Sequence, residues 1–208
     1  MDYYAQLIRE RCAQIGLAPR AILDMGCTGG RSTRAIKRAI PQATCSGCDV
    51  CEGTLRHGHL RAIEENCEIT LAQWSAESLG CPDASMDVIA SHWLYHEMPP
   101  EGIRRSLDEA RRVLKPGGLF VAYDMVLVPG GVIGKWLQSG YAARNNEPFA
   151  HTLTGFDFRG ELGKRGFKDI RLELTSPQHR GPHTDADLPA AMPARRTHYM
   201  TFVSAVRN

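Results

Sequence analysis

One short stretch, Ser91-His92-Trp93-Leu94-Tyr95-His96-Glu97-Met98-Pro99-Pro100, gathers two imidazoles, a phenol and a carboxylate. A histidine near its ordinary pKa takes a proton at neutral pH. His96 first, and His92 second, are therefore the candidate general bases for a reaction whose nucleophile carries a proton. Glu97 is equally suited to capping the next helix. His92 and His96 stand four apart with Glu97 adjacent, a spacing that holds a metal on a helix. Two prolines follow at once, so a regular helix is not expected there, and no metal is assigned.

The second concentration of chemistry is Ile22-Leu23-Asp24-Met25-Gly26-Cys27-Thr28-Gly29-Gly30-Arg31-Ser32-Thr33, an apolar run that breaks into glycines and then opens a helix. Glycines let the chain turn tightly and let a ligand touch the backbone. The helix N-terminus offers free N–H groups and partial positive charge to a carboxylate or phosphate. Asp49 ends the next strand, at about the separation expected of a carboxylate that accepts hydrogen bonds from ribose hydroxyls. Together these describe a site for an adenosine-type nucleoside spanning two neighbouring strand ends. The turn opens on Asp24, whereas dinucleotide folds usually open it on an apolar residue. That carboxylate can orient the loop and reach the amino-acid end of a ligand.

A third cluster, Cys45-Ser46-Gly47-Cys48-Asp49-Val50-Cys51, has two overlapping C-x-x-C spacings. Cys45 and Cys48 fall in a strand, where an odd offset sends side chains to opposite faces. With no fourth thiol at ligand spacing, small packing residues are the reading here, and the same holds for Cys27. Seven cysteines in a chain without an export signal are expected to be reduced thiols.

These groups need a scaffold, and the periodicity supplies one. A helix over 2–16 carries apolar residues at helical spacing, and a buried strand follows at 21–23. A helix over 32–40 stops at Pro41. Strands at 43–48, 68–73, 86–91 and 119–128 alternate with helices at 52–65 and 100–114, the last broken by Lys115-Pro116-Gly117-Gly118. A helix is expected at 156–165, a strand at 170–174, a Pro/His/Asp-rich loop at 176–195 and a final strand at 199–206. Such alternation implies an α/β fold with a parallel sheet and helices on both faces.

In order and spacing these pieces resemble the class I S-adenosylmethionine-dependent methyltransferase family. The family turn has the form Asp-x-Gly-x-Gly-x-Gly; Asp24, Gly26 and Gly30 match, while Thr28 replaces the middle glycine with Gly29 beside it. Trp74-Ser75-Ala76-Glu77-Ser78-Leu79 resembles the segment flanking adenine, with Ser75 where an Asp is common. Ala84-Ser85-Met86-Asp87-Val88-Ile89 resembles the fourth-strand entry. Ala110-Arg111-Arg112-Val113-Leu114-Lys115-Pro116-Gly117-Gly118-Leu119 is similar to the helix-to-fifth-strand sequence, and Lys164-Arg165-Gly166-Phe167-Lys168-Asp169-Ile170 to a late turn. The likeness covers about residues 20–175.

The resemblance implies a Rossmann-like three-layer α/β/α sandwich, its seven-stranded sheet mostly parallel with one antiparallel strand. It implies S-adenosyl-L-methionine as cofactor and S-adenosyl-L-homocysteine as product. Asp24, Gly26, Cys27, Thr28, Gly30, Asp49, Val50, Ser75, Ala76, Glu77 and Ser91 would bind the cofactor. A non-methylating enzyme that retains the cofactor, a degenerate accessory protein and a dinucleotide oxidoreductase stay open as alternatives.

The chain has 208 residues, which suits a single domain with a short N-terminal helix over 1–18 and a substrate-side insertion at 129–156. Tyr4 from that helix, Tyr95 from the His-rich segment, and Trp136, Tyr141 and His151 from the insertion are the expected substrate walls for a small, partly apolar acceptor of oxygen, nitrogen or carbon type, as in secondary metabolism. A formal net charge of +2 argues against nucleic acid as partner. No apolar run reaches membrane-spanning length and no signal peptide opens the chain, so a cytoplasmic monomer or homodimer is expected.

Overall fold

A computed structural model describes residues 1–125, 141–149, 153, 156–176, 179–183 and 200–208. The elements run in order α1 (Asp2–Gln14), β1 (Ala21–Met25), α2 (Arg31–Ala39), β2 (Thr44–Asp49), α3 (Glu52–Glu64), β3 (Thr70–Gln73), β4 (Met86–His92), α4 (Pro100–Val113), β5 (Leu114–Met125), α5 (Tyr141–Asn145), α6 (Phe158–Lys164), β6 (Phe167–Ser176), β7 (His179–His183) and β8 (Met200–Arg207).

One sheet carries the order β3-β2-β1-β4-β5-β8-β6-β7. The strands β3, β2, β1, β4 and β5 pair in parallel, and β8 inserts antiparallel between β5 and β6. Those seven strands are the expected sheet. The short β7 pairs antiparallel with the outer edge of β6, inside the stretch expected to be loop. A Pro/His-rich sequence carries no alternation that would announce a strand; an edge needs pairing on one side only.

Strands covered on both faces are apolar at consecutive positions, and here successive residues serve opposite layers. Leu23, Met25, Ile89, Phe120 and Ala122 join one core with Ile103, Leu107 and Ala110 of α4 and Phe158 and Leu162 of α6. Ile22, Val88, Ala90, Leu119 and Val121 join the other with Tyr4, Ala5 and Ile8 of α1 and Ala35 and Ile36 of α2. The buried Arg11 fastens α1 to the far side of the sheet through Ser204 and Asp169.

The expected break at Lys115-Pro116-Gly117-Gly118 lies inside β5. Met86 pairs with Leu114 and Val88 with Leu119, so the extra residues bulge out of the ladder. Strand order reverses between β1 and β4. The carboxyl ends on either side of that switch point are where ligands bind in open parallel sheets.

Candidate active site

The turn after β1 is held from below. Asp24 is fully buried, and its Oδ2 accepts hydrogen bonds from Ser32 Oγ at 2.6 Å and Thr33 Oγ1 at 2.7 Å, both in the first turn of α2. Burial pushes its carboxyl up to about 6, against the downward pull of those two bonds. Gly26, Thr28 and Gly30 all take positive φ, at 68°, 50° and 67°. A Cβ at 26 would also stand 2.7 Å from Leu94 Cδ1, so that side chain would have to shift. Thr28 carries a β-branched side chain into the same left-handed region, a strained choice.

Asp49 closes over this turn. Its Oδ2 accepts the Thr28 N–H at 2.9 Å and its Oδ1 accepts the Cys51 N–H at 2.9 Å. Each oxygen keeps a lone pair, the number that two vicinal hydroxyls need. A crevice of about 570 Å³ opens beside the turn, lined by Met1, Gly26, Cys27, Thr28, Gly29, Arg31, Ser32, His92 and Trp93. That size suits one small ligand.

The His-rich segment forms the opposite side. His92 ends β4 with its ring 5.1 Å edge-on to Tyr4 and 5.5 Å from Tyr123. Burial lowers its pKa to about 4, so it is neutral and a weak base. Trp93 is 42% exposed yet sits at φ 58°, fixed by its N–H donating to the Tyr123 carbonyl. A bulky residue held left-handed at a crevice marks stored strain at a site. Tyr95, His96 and Glu97 form a single 3₁₀ turn, so His92 and His96 do not share a helix face.

His96 is 2% exposed and its Nδ1 lies 2.7 Å from Asp124 Oδ1. Asp124 Oδ2 accepts the Tyr95 N–H at 2.8 Å, which fixes the carboxylate against the imidazole. Burial alone would lower the His96 pKa. The hydrogen bond and charge of Asp124, joined by Glu147 and Glu97, outweigh it and the pKa is raised. The ring is thus oriented with Nδ1 engaged and Nε2 turned toward Glu97 Oε1 at 3.6 Å. A carboxylate-oriented imidazole is the arrangement of a general base.

Residues 22–118 match the family model described as a methyltransferase domain. The chain is 36% identical over 118 residues to a ubiquinone/menaquinone biosynthesis C-methyltransferase of Bradyrhizobium, covering 54% of this chain and 46% of that protein. It is 23% identical over 167 residues to a tRNA N(3)-methylcytidine methyltransferase of Drosophila melanogaster, covering 75% of this chain and 51% of that one. It thus spans about half the length of these curated relatives. The fold matches the YcgJ protein of Bacillus at a TM-score of 0.72 and 16% identity, over 100% of this chain and 99% of that one. These likenesses support a class I S-adenosylmethionine-dependent methyltransferase, with residues 22–118 as its methyltransferase domain.

The site residues read from sequence fall into two groups. Asp24, Gly26, Cys27, Thr28, Gly30 and Asp49 meet at one turn, with Ser91 pairing across to Met25 in the neighbouring strand. Asp24 Oδ1 and Ser91 Oγ are buried without a hydrogen-bond partner among the described residues, so polar capacity is left at these strand ends. Together with the free lone pairs of Asp49, that donor and acceptor set fits S-adenosylmethionine. Val50 is 66% exposed beside Asp49 and offers an apolar surface to a flat base.

The second group stands apart. Ser75 Oγ accepts the Glu77 N–H, Ala76 packs into the core, and Glu77 pairs with Arg105 at 2.6 Å. None of the three lines the crevice. Tyr4 and Tyr95, expected at the substrate wall, are core residues at 1% and 0% exposure. Tyr95 packs on Phe158 and Phe120. Tyr141 opens α5, and Trp136 and His151 lie outside the described residues.

Sequence reasoning missed Asp124, Arg31 and Glu147. Asp124 was visible as an acid within the apolar run of β5, a cost that demands a partner. Arg31 lines the crevice from the first turn of α2. Glu147 carries no signal in the sequence, because only the tertiary fold brings it to His96.

Proposed function

We propose that this protein is a methyltransferase that moves a methyl group from S-adenosylmethionine to a small-molecule acceptor. The observation that carries the reading is one crevice lined both by Gly26, Thr28 and Arg31 of the turn after β1 and by His92 and Trp93 at the end of β4, with the His96 ring edge-on to Trp93 at 5.5 Å.

When bound, the cofactor supplies an electrophilic methyl group on a sulfonium. The rest is positioning and proton handling by the chain. The turn and Arg31 hold the amino-acid end, and Asp49 holds the ribose. Val50 covers the base. His92 and Trp93 wall the reacting end. His96 Nε2 takes the acceptor's proton, and Asp124 stabilises the imidazolium that results.

A crevice of about 570 Å³ and a net charge of +2 support a small acceptor over a nucleic acid. The Bradyrhizobium relative is named for quinone biosynthesis, which favours an acceptor of the same size class. Among the described residues no helix is long and apolar enough to cross a membrane. Isotope-labelled S-adenosylmethionine, incubated with a panel of hydroxylated, amino and quinol acceptors, tests the reading by mass shift. Transfer to tRNA with no transfer to any small acceptor would overturn the substrate class.

A further inference from the structure

His96 has a second side. With Nδ1 engaged by Asp124, its Nε2 faces Glu97 Oε1 at 3.6 Å, beyond hydrogen-bond length. Glu147, just past α5, brings a third ligand atom, and one atom each of His96, Glu97 and Glu147 lies within 4.8 Å of the others. Glu147 Oε2 is shut off from water and has no hydrogen-bond partner among the described residues.

Asp124, Glu97 and Glu147 thus converge on one buried imidazole. An ionised carboxylate oxygen removed from water without a partner is costly, and a cation relieves that cost. The 3.6 Å between His96 Nε2 and Glu97 Oε1 is close to the spacing of two ligands on a single ion, since bonds of about 2.0–2.2 Å to nitrogen and oxygen set donor atoms a little over 3 Å apart. The hydrogen bond from Nδ1–H to a carboxylate is the outer support that metal-bound imidazoles almost always have.

We propose that His96 Nε2, Glu97 and Glu147 form a binding site for a divalent transition-metal cation, of Zn²⁺ or Mn²⁺ type. One imidazole and two carboxylates, without thiolate, select that class over soft monovalent metals. Three protein ligands leave coordination positions open, and the nitrogen ligand is the proposed base itself. If methyl transfer is the reaction, the substrate class such a centre favours is an oxygen acceptor with an ionisable hydroxyl. His96 then serves as ligand in place of base. The binding itself does not depend on that reading.

Calorimetric titration of chelator-stripped full-length protein with Zn²⁺, and separately with Mn²⁺, tests the site. One saturable equivalent of at least one cation is expected. Glu147→Gln should weaken it by about tenfold or more, the loss that follows when metal-site groups are removed. Glu101→Gln, an exposed glutamate outside the cluster, should leave it unchanged. S-adenosylhomocysteine affinity, measured on Glu147→Gln alongside, reports an intact fold. Absence of saturable uptake, or equal uptake by wild type and Glu147→Gln, overturns the site and leaves the methyl-transfer reading standing. A cation bound by a chain that transfers no methyl group supports the site alone.

Discussion

The Thr28 amide donates to Asp49 Oδ2 at 2.9 Å, so the glycine turn of one strand end is latched to the acid of the next. The same carboxylate accepts the Cys51 N–H, and this one side chain sets the spacing of both loops. Asp49→Ala should weaken S-adenosylhomocysteine binding by at least about tenfold, or ~1.4 kcal/mol. Asp49→Asn, which keeps one acceptor oxygen, should fall between. Fluorescence or calorimetric titration checks the order, and equal affinities for all three would refute the latch.

Thr28 departs from the glycine that the family turn carries, and it does so at φ 50°. Left-handed backbone costs a β-branched residue about 1–2 kcal/mol. Thr28→Gly removes that cost and leaves the latch intact, since the bond runs through the backbone amide. Its greater loss of entropy on folding offsets part of the gain. A rise of roughly 0.5–1 kcal/mol in unfolding free energy is expected from denaturant titration. A loss of stability would show that the Thr28 side chain holds the turn.

The His96–Asp124 pair makes a signed prediction in pH. The folded-state pKa of His96 is raised above 6.5, so its contribution to stability is full below that value. It is lost as pH rises through the raised pKa. As a base, His96 must be neutral, so turnover should increase through the same range. Asp124→Asn removes the charge that raises the pKa. The acid limb of the rate profile should then move to lower pH while the maximum rate falls. Nuclear magnetic resonance titration of the imidazole should move with it, and an unmoved limb would release His96 from the role of base.

Asp24 carries a slope of the same sign for a different reason. Burial lifts its carboxyl from 3.8 to about 6, so the folded chain holds a proton that the unfolded chain has released. Stability should therefore fall as pH rises between those values, by up to about 3 kcal/mol for this group. Asp24→Asn keeps an oxygen for Ser32 and Thr33 and should flatten that segment of the curve. An unchanged slope in urea titrations at pH 4, 5 and 6 would contradict the assignment.

Much of the scaffold was legible because parallel strands and amphipathic helices leave periodic traces. The strand ending at Asp49 and the helix broken after Val113 were readable within a residue or two. The turn was readable because Gly26 and Gly30 occupy backbone that few other residues tolerate. Side-chain depth was not: Tyr4 and Tyr95 look like wall residues by type, and the fold buries both. Partners far apart in sequence were equally hidden. Asp124 lies 28 residues beyond His96, and nothing local announces their contact. The strand β7 escaped because pairing with an edge, not its own composition, creates it.

One ligand is proposed to sit between the Gly26–Gly30 turn and Asp49. Calorimetry of the purified chain with S-adenosylhomocysteine tests it most directly. Saturable binding at one equivalent is expected, lost in Asp49→Ala. No saturable heat from a folded wild-type sample, or equal binding by Asp49→Ala, would contradict it.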